Sequence, residues 1–315
     1  MQISAKKKQD VTGMLAQKVK KDFFRNKYIY LLFLPVAVYF ILFHYKPIYG
    51  IVIAFKQFSP AKGINGSPWV GMQNFTRFFE DFYFGRLIRN TFVISLYSVI
   101  WGFPVPILFA LLLNELSAVK FKKVVQTCSY LPHFISLVIV CSMIKQFSGT
   151  NGLFNNIIAS FGGERMPILQ LPEYFRTVYI TSDIWQDFGW NSIIYLAALS
   201  GVDQELYEAA KIDGSGRFSQ VIHVSIPGIL PTIIMLFILR MGSILNVGAQ
   251  KILLLYNPAT YKTADVISSY VYRKGMLNGD MSYSTAVGLF NSVINVIFLL
   301  LTNYISKKVS DISMF

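Results

Sequence analysis

The chain has 315 residues and a formal net charge of +13, with 54% hydrophobic, 16% aromatic and only 14% charged residues. A soluble domain carries about 25% charged residues, so this composition, with a mean hydropathy of +0.48, excludes a disordered chain and an ordinary water-soluble core. Two cysteines and three histidines, far apart, exclude a disulfide framework and a spaced metal-ligand motif, which leaves an integral membrane protein.

In chain order, residues 1–27 form a basic tail containing Lys6, Lys7, Lys8, Lys18, Lys20, Lys21, Arg25 and Lys27. Such a tail is solvated and pairs with anionic headgroups. A helix crosses the hydrocarbon in about 20 mostly apolar residues. Six segments qualify, at 28–45, 90–113, 124–147, 179–200, 226–250 and 284–305, so the expected fold is all-α and polytopic. The first opens at Tyr28 and closes at His44 and Tyr45, with aromatics at both interfaces. It starts too late and lacks the small-residue cleavage site of a signal peptide. The runs 48–55 and 252–256 are apolar but too short to cross, and are expected at the outer interface.

Within the spans, Pro104 and Pro106 predict a break or bend in the second. Cys128 and Cys141 share the third, separated by about 20 Å of helix, too far for a disulfide; both read as core residues. Asp183 and Asp187 share a helix face near the outer start of the fourth. Such a pair could hold Mg²⁺ in an intramembrane prenyl-transfer enzyme, but no second aspartate-rich motif completes that site. The preferred reading is a solvated helix start, where acids are favourable. Arg240 lies inside the fifth span, about 20 Å of helix beyond Pro227. It faces a cavity or partner, or it snorkels to the outer interface, as Lys145 does near a span end. Gly288 and Ser292, small and four apart, predict a close helix contact.

Orientation follows from the basic residues. With the N-terminus inside, segments 1–27, 114–123, 201–224 and 306–315 hold 15 Lys/Arg in 71 residues, against 12 in 108 for 46–89, 148–178 and 251–283. The inner density is about twice the outer, which places both termini in the cytoplasm. The charge therefore reads as membrane orientation, with no nucleic-acid partner. The chain divides into the tail 1–27, a membrane-spanning body 28–305 and a tail 306–315.

The loop 201–227 carries the most information. Asp203 is a plausible N-cap, and the run from Glu205 to Asp213 is built from good helix formers. Leu206, Ala209, Ala210 and Asp213 recur at helical spacing, and the alanines leave a shallow face suited to a partner's groove. Gly214 and Gly216 stop that helix; Phe218, Val221 and Ile222 begin a second apolar stripe. Pro227 suits the first turn of the next span, where its missing N–H costs nothing. A short helix, a glycine break and a second amphipathic turn read as a docking element.

Glu208-Ala209-Ala210, three residues, Gly214, nine residues, then Val224, Ile226 and Pro227 resemble the Glu-Ala-Ala signature of permease subunits of binding-protein-dependent ABC importers. Valine and isoleucine replace the usual isoleucine and leucine. The run from Trp69 to Phe84 followed by Asn90-Thr91 is similar to the outer loop before span 2 of carbohydrate permeases. Gln126 to Ser136, Tyr256 to Thr260, and Asp265 to Ser268 resemble the branch that imports oligosaccharides and polysaccharide fragments. The resemblance implies a type I ABC importer fold in the cell membrane, with a second permease in a heterodimer, two P-loop ATPase subunits and an extracytoplasmic solute-binding protein. Glu208, Ala209, Ala210, Asp213, Gly214 and Pro227 would then form the element coupled to the ATPase. This chain has no P-loop motif, so ATP and Mg²⁺ are expected on the partner ATPase, with no cofactor, metal or catalytic residue here.

A sugar path needs aromatics to stack on ring C–H faces and amides to satisfy hydroxyls. Candidates are Gln186, Trp190, Asn191 and Tyr195 in span 4, Arg240, Asn246 and Gln250 in span 5, and Asn291 and Asn295 in span 6. The aromatics could equally be an interfacial belt, as Trp185 reads, and the amides could be glue between helices. The resulting expectation is an importer permease that passes an oligosaccharide inward by alternating access; the alternative is a stand-alone secondary transporter.

Overall fold

The computed structural model describes residues 21–22, 24–310 and 312–314; most of the basic tail lies outside them. Among the described residues the backbone is helical, and the one extended pairing is an isolated bridge between Lys56 and Trp69. Contacts divide the chain into residues up to Trp69 and residues from Val70 onward.

In the first unit, helix α1 (Lys27–Phe55) has 29 residues and is apolar enough to cross a membrane. The expected span ended at Tyr45, with 48–55 at the interface. The helix instead continues through that run, because Pro47 does not stop it: a π turn at Ile41–Tyr45 precedes the proline. After α1, the Phe55 and Trp69 rings stack at 5.7 Å, and Lys56 Nζ donates to the Ile64 carbonyl at 2.7 Å.

The second unit opens its long helices with α2 (Phe84–Asn114), followed by α3 (Val119–Phe134) and α4 (Leu137–Phe147). Then come α5 (Pro172–Ser200), the short α6 (Gln204–Ile212), α7 (Arg217–Met241), α8 (Ala249–Leu255) and α9 (Met281–Ser310). Helices α1, α2, α7 and α9 are each long and apolar enough to span. The pair α3 and α4 qualifies only as a broken span, bent by 96°.

That bend corrects the single third span. Pro132 sits in a 3-10 turn at Leu131–Phe134, and Ile135 and Ser136 are extended, so the helix restarts in a new direction at Leu137. Cys128 is exposed on α3 rather than in the core; Cys141 on α4 is buried. Central helix α5 backs the bend. A Cβ on Gly189 would lie 2.1 Å from the Ser129 carbonyl oxygen, which is backbone and cannot swing away. Gly189→Ala should therefore cost about 1–3 kcal/mol as an overpacked contact. The check is a lower melting temperature of the detergent-solubilised protein; an unchanged one would show that α3 and α5 can separate freely.

The prolines of α2 do not break it. Pro47, Pro104 and Pro227 each stand two residues beyond a π turn, at Ile41–Tyr45, Ser98–Gly102 and Val221–Ser225. A helical proline lacks a donor for the carbonyl four residues back and clashes with it. In all three cases that carbonyl, at Phe43, Ile100 or His223, lies in the middle of the widened turn. The turn absorbs the steric conflict and the helix runs on. Pro227 is thus inside α7, which starts nine residues earlier than expected, not in a first turn.

Other boundaries also differ. Helix α5 starts at Pro172, so Asp183 and Asp187 are mid-helix rather than at a solvated start. The fifth span ends at Met241, and residues 242–248 are not helical; Asn246 lies in that link and Gln250 on α8. Ile252 and Leu255, expected at an interface, are buried against α4 and α5. Helix α9 continues to Ser310, beyond the expected 305. A Cβ on Gly288 would meet nothing within 4 Å, so no close helix contact is made there among the described residues of this chain.

Three apolar clusters hold the second unit. One joins α2, α4, α5 and α8 through Ile94, Val140, Phe175, Tyr179 and Ile252. Another joins α2, α5 and α7 through Ala110, Tyr195, Leu199 and Ile229. The third ties Phe78 and Leu87 to Tyr270, Tyr283 and Val287. Beside this last cluster, Asp265 is wholly buried and accepts from Arg86 at 3.0 Å, from Arg273 at 2.7 and 2.8 Å, and from Ser269 at 2.8 Å. Nearby, burial works against the charge of Asp81, but the Tyr270 hydroxyl, the Tyr83 N–H, the Tyr283 hydroxyl and Lys274 outweigh it and hold its carboxyl below the usual range.

Candidate functional site

The loop 201–227 builds as its residue types dictate. Asp203 caps α6 by accepting from the Glu205 N–H at 3.0 Å. The helix ends in a Schellman motif: Gly214 has φ +76°, its N–H donates to the Lys211 carbonyl, and the Ser215 N–H donates to the Ala210 carbonyl. A non-glycine residue would be strained at that φ. Tyr207 and Ser225 hydroxyls meet at 2.9 Å, and Gln220 Nε2 donates to the Ser215 carbonyl at 2.9 Å, so α6 is fastened to the start of α7. A Cβ on Gly228 would lie 2.7 Å from a Val202 methyl, so the loop's root sits directly against α7. Glu208, Ala209, Asp213 and Gly214 are exposed, and Ala210 is half-buried. Leu206, Ile212 and Phe218 expose 53%, 87% and 78% of their surfaces. Apolar exposure on a well-fastened loop marks an interaction surface.

The second feature is a cavity of about 350 Å³ between α2, α5 and α7, lined by polar groups of Ser98, Asp183, Asp187, Asn191, Tyr195 and Arg240. This lies within the range of about 300–1,000 Å³ typical of small-ligand pockets. Arg240 donates to Ser98 Oγ across the α2–α7 contact. The two aspartates have other partners. Lys251 Nζ, itself buried, lies 3.2 Å from Asp183 and over the Tyr179 ring, and His133 Nδ1 lies 2.8 Å from Asp187.

Of the nine path candidates, the structure brings Asn191, Tyr195 and Arg240 together in this cavity. Gln186 and Trp190 sit beside it at the α3–α4 bend. Gln186 Nε2 donates to the Ile135 carbonyl at 3.4 Å, and the Trp190 ring stacks on His133 at 4.6 Å. Asn246, Asn291 and Asn295 form a separate cluster. Both α9 amides donate to Asn246, at 3.1 and 3.0 Å, and Asn295 accepts from the Leu245 N–H at 3.0 Å. This cluster ties the 242–248 link to α9. Gln250 is exposed on α8, apart from both groups. Sequence reasoning missed Lys251, Ser98 and the pairing of His133. The available signal for Lys251 was a lone charge heading the apolar run 252–256.

Residues 96–311 match the model of the binding-protein-dependent transport system inner membrane component family. The chain belongs to that family. It is 45% identical over 288 residues to the polygalacturonan/rhamnogalacturonan transport system permease protein YteP of Bacillus subtilis, covering 91% of this chain and 90% of the relative. It is 43% identical to protein LplB of the same organism, over 92% of each chain. The crystal structure of a bacterial ABC transporter involved in the import of the acidic polysaccharide alginate superposes with a TM-score of 0.86 at 41% identity, over 93% of this chain and 99% of that one. A second structure of a bacterial alginate ABC transporter, in complex with an alginate pentasaccharide-bound periplasmic protein, superposes with a TM-score of 0.85 at 40% identity. The protein is thus a multi-pass permease subunit of an ABC importer, a transport subunit and not an enzyme, with the type I permease fold.

Proposed function

We propose that the permease passes an oligosaccharide or polysaccharide fragment from an extracytoplasmic solute-binding protein into the cytoplasm, within an assembly of two different permeases and two P-loop ATPases in the cell membrane. ATP and Mg²⁺ bind on the ATPase chains, and no bond of the substrate is made or broken on this one. Six spans, formed by α1, α2, the bent α3–α4 pair, α5, α7 and α9, place both termini inside. The density of basic residues supports that orientation. Helix α5 is the least apolar of these, but it has 29 residues and turns Asp183, Asp187 and Asn191 toward the cavity.

One observation carries this reading: the exposed, capped Glu-Ala-Ala loop and the polar cavity lie on the same helix, α7, with the loop at its start and Arg240 in its last turn. ATPase closure pushing on Glu208 and its neighbours is passed along α7, and the permeases exchange outward and inward states by rigid-body movement. A secondary transporter would have no use for the docking loop, and family membership favours the importer.

Affinity purification of this chain from its native membrane in mild detergent tests the assembly. A P-loop ATPase and a second permease should co-purify, and the substrate-loaded binding protein should stimulate ATP hydrolysis. Recovery of a folded chain alone at every detergent strength would overturn the reading.

A further inference from the structure

We infer that Arg240 reads a carboxylate on the sugar, so that the cavity selects hexuronate oligomers over neutral ones; this rests on the transport role proposed above. Three charged residues line the cavity: Asp183, Asp187 and Arg240. Each aspartate has a partner from outside the lining, the Lys251 ammonium at 3.2 Å and the His133 ring at 2.8 Å. Among the described residues Arg240 makes no ion pair, and its one side-chain hydrogen bond is to the neutral Ser98 hydroxyl. A charge within a spanning helix is expensive unless it meets a partner or a cavity. Placement in the last turn of α7 offsets some of that cost through the helix dipole. Arg240 lines the cavity, and a carboxylate meets a planar guanidinium fork with two parallel hydrogen bonds.

The neighbouring groups suit the rest of a sugar ring. Asn191 offers both donor and acceptor to hydroxyls beside Arg240. The two aspartates, already paired, are acceptors that a neutral hydroxyl can use. An unpaired carboxylate there would repel an acidic sugar, so the pairing of Asp183 with the Lys251 ammonium is part of the selectivity. Acidic polysaccharides named for relatives, polygalacturonan and alginate, have this chemistry.

The test uses the complete transporter in proteoliposomes with its binding protein. Uptake of tetragalacturonate is compared with uptake of its methyl ester, which has the same backbone without the charge. Arg240→Gln should lower tetragalacturonate uptake at least tenfold and leave ester uptake within about twofold. Arg240→Lys, which keeps the charge but not the planar fork, should restore only part of the acid uptake. As a structural control, Arg240→Gln is compared with the wild type by melting temperature in detergent. If Arg240→Lys restores none of the acid uptake while that temperature falls by several degrees in Arg240→Gln, Arg240 acts by joining α2 to α7 and the inference falls. It also falls if Arg240→Gln lowers both substrates equally or neither. A wild-type transporter that couples to ATP hydrolysis yet moves neither oligomer overturns the inference alone; one with no coupled hydrolysis overturns the transport role itself.

Discussion

Glu208→Lys will reduce uptake to background while the amount of folded permease in the membrane stays unchanged. Glu208 is exposed on α6 and makes no ion pair among the described residues, so the substitution costs the fold no more than about 0.5 kcal/mol. The cost falls on the interface. A reversed charge at a docking surface that fits the wild-type carboxylate brings like charges together, which costs several kcal/mol. Each 1.4 kcal/mol is about a tenfold loss of binding. The ATPase should therefore no longer co-elute with the variant, and uptake driven by ATP should disappear. Glu208→Gln, which removes the charge without reversing it, should fall between the two. Normal uptake by Glu208→Lys would remove α6 from the coupling route.

Asp265→Asn will destabilise the second unit by about 3 kcal/mol, the lower end of the range for breaking a buried ion pair. Asp265 is fully buried, whereas Arg86 and Arg273 keep 31% and 21% of their side chains exposed, so solvent recovers part of the loss. Burial opposes the charge on Arg273, yet hydrogen bonds to Asp265 and Tyr256 raise its pKa above the ordinary arginine value. Asparagine can still accept from Ser269, but it leaves two guanidiniums facing each other without a counter-charge. The measurement is the melting temperature in detergent, with a fall of several degrees expected. A fall of under one degree would mean that solvent already screens these groups. Because Asn90 donates to the Asp265 backbone carbonyl at 2.9 Å and accepts from Arg176 at 2.8 Å, the damage should spread to the α2–α5 contact.

Local chemistry made the loop 201–227 legible from sequence. Asp203, the helix formers after it and Gly214 each specify their conformation within a few residues, and the structure has the cap, the helix and the Schellman end where those residues stand. Long apolar runs were legible for the same reason. Their ends were not, because proline alone does not say whether a helix stops or widens by one residue, as it does before Pro47, Pro104 and Pro227. Nor does hydropathy register a bend such as that at Ile135 and Ser136, which interrupts an apolar run without lowering its mean. The cavity was half legible. Asn191, Tyr195 and Arg240 drew attention as polar or aromatic residues in apolar spans, but the partners of Asp183 and Asp187 lie 68 and 54 residues away along the chain. No spacing rule reaches that far.

Helix α7 runs unbroken for 25 residues, a length of about 37 Å. A tilt of about 10° around its Arg217 end would carry the opposite end sideways by roughly 6 Å, by simple geometry on that length. A hydrogen bond tolerates only a few tenths of an ångström before it weakens. The contact between Arg240 and Ser98 is therefore a gauge of the angle between α7 and α2. It is closed at the angle seen here, and open after any swing of α7 against α2 beyond one or two degrees that the side chains do not follow.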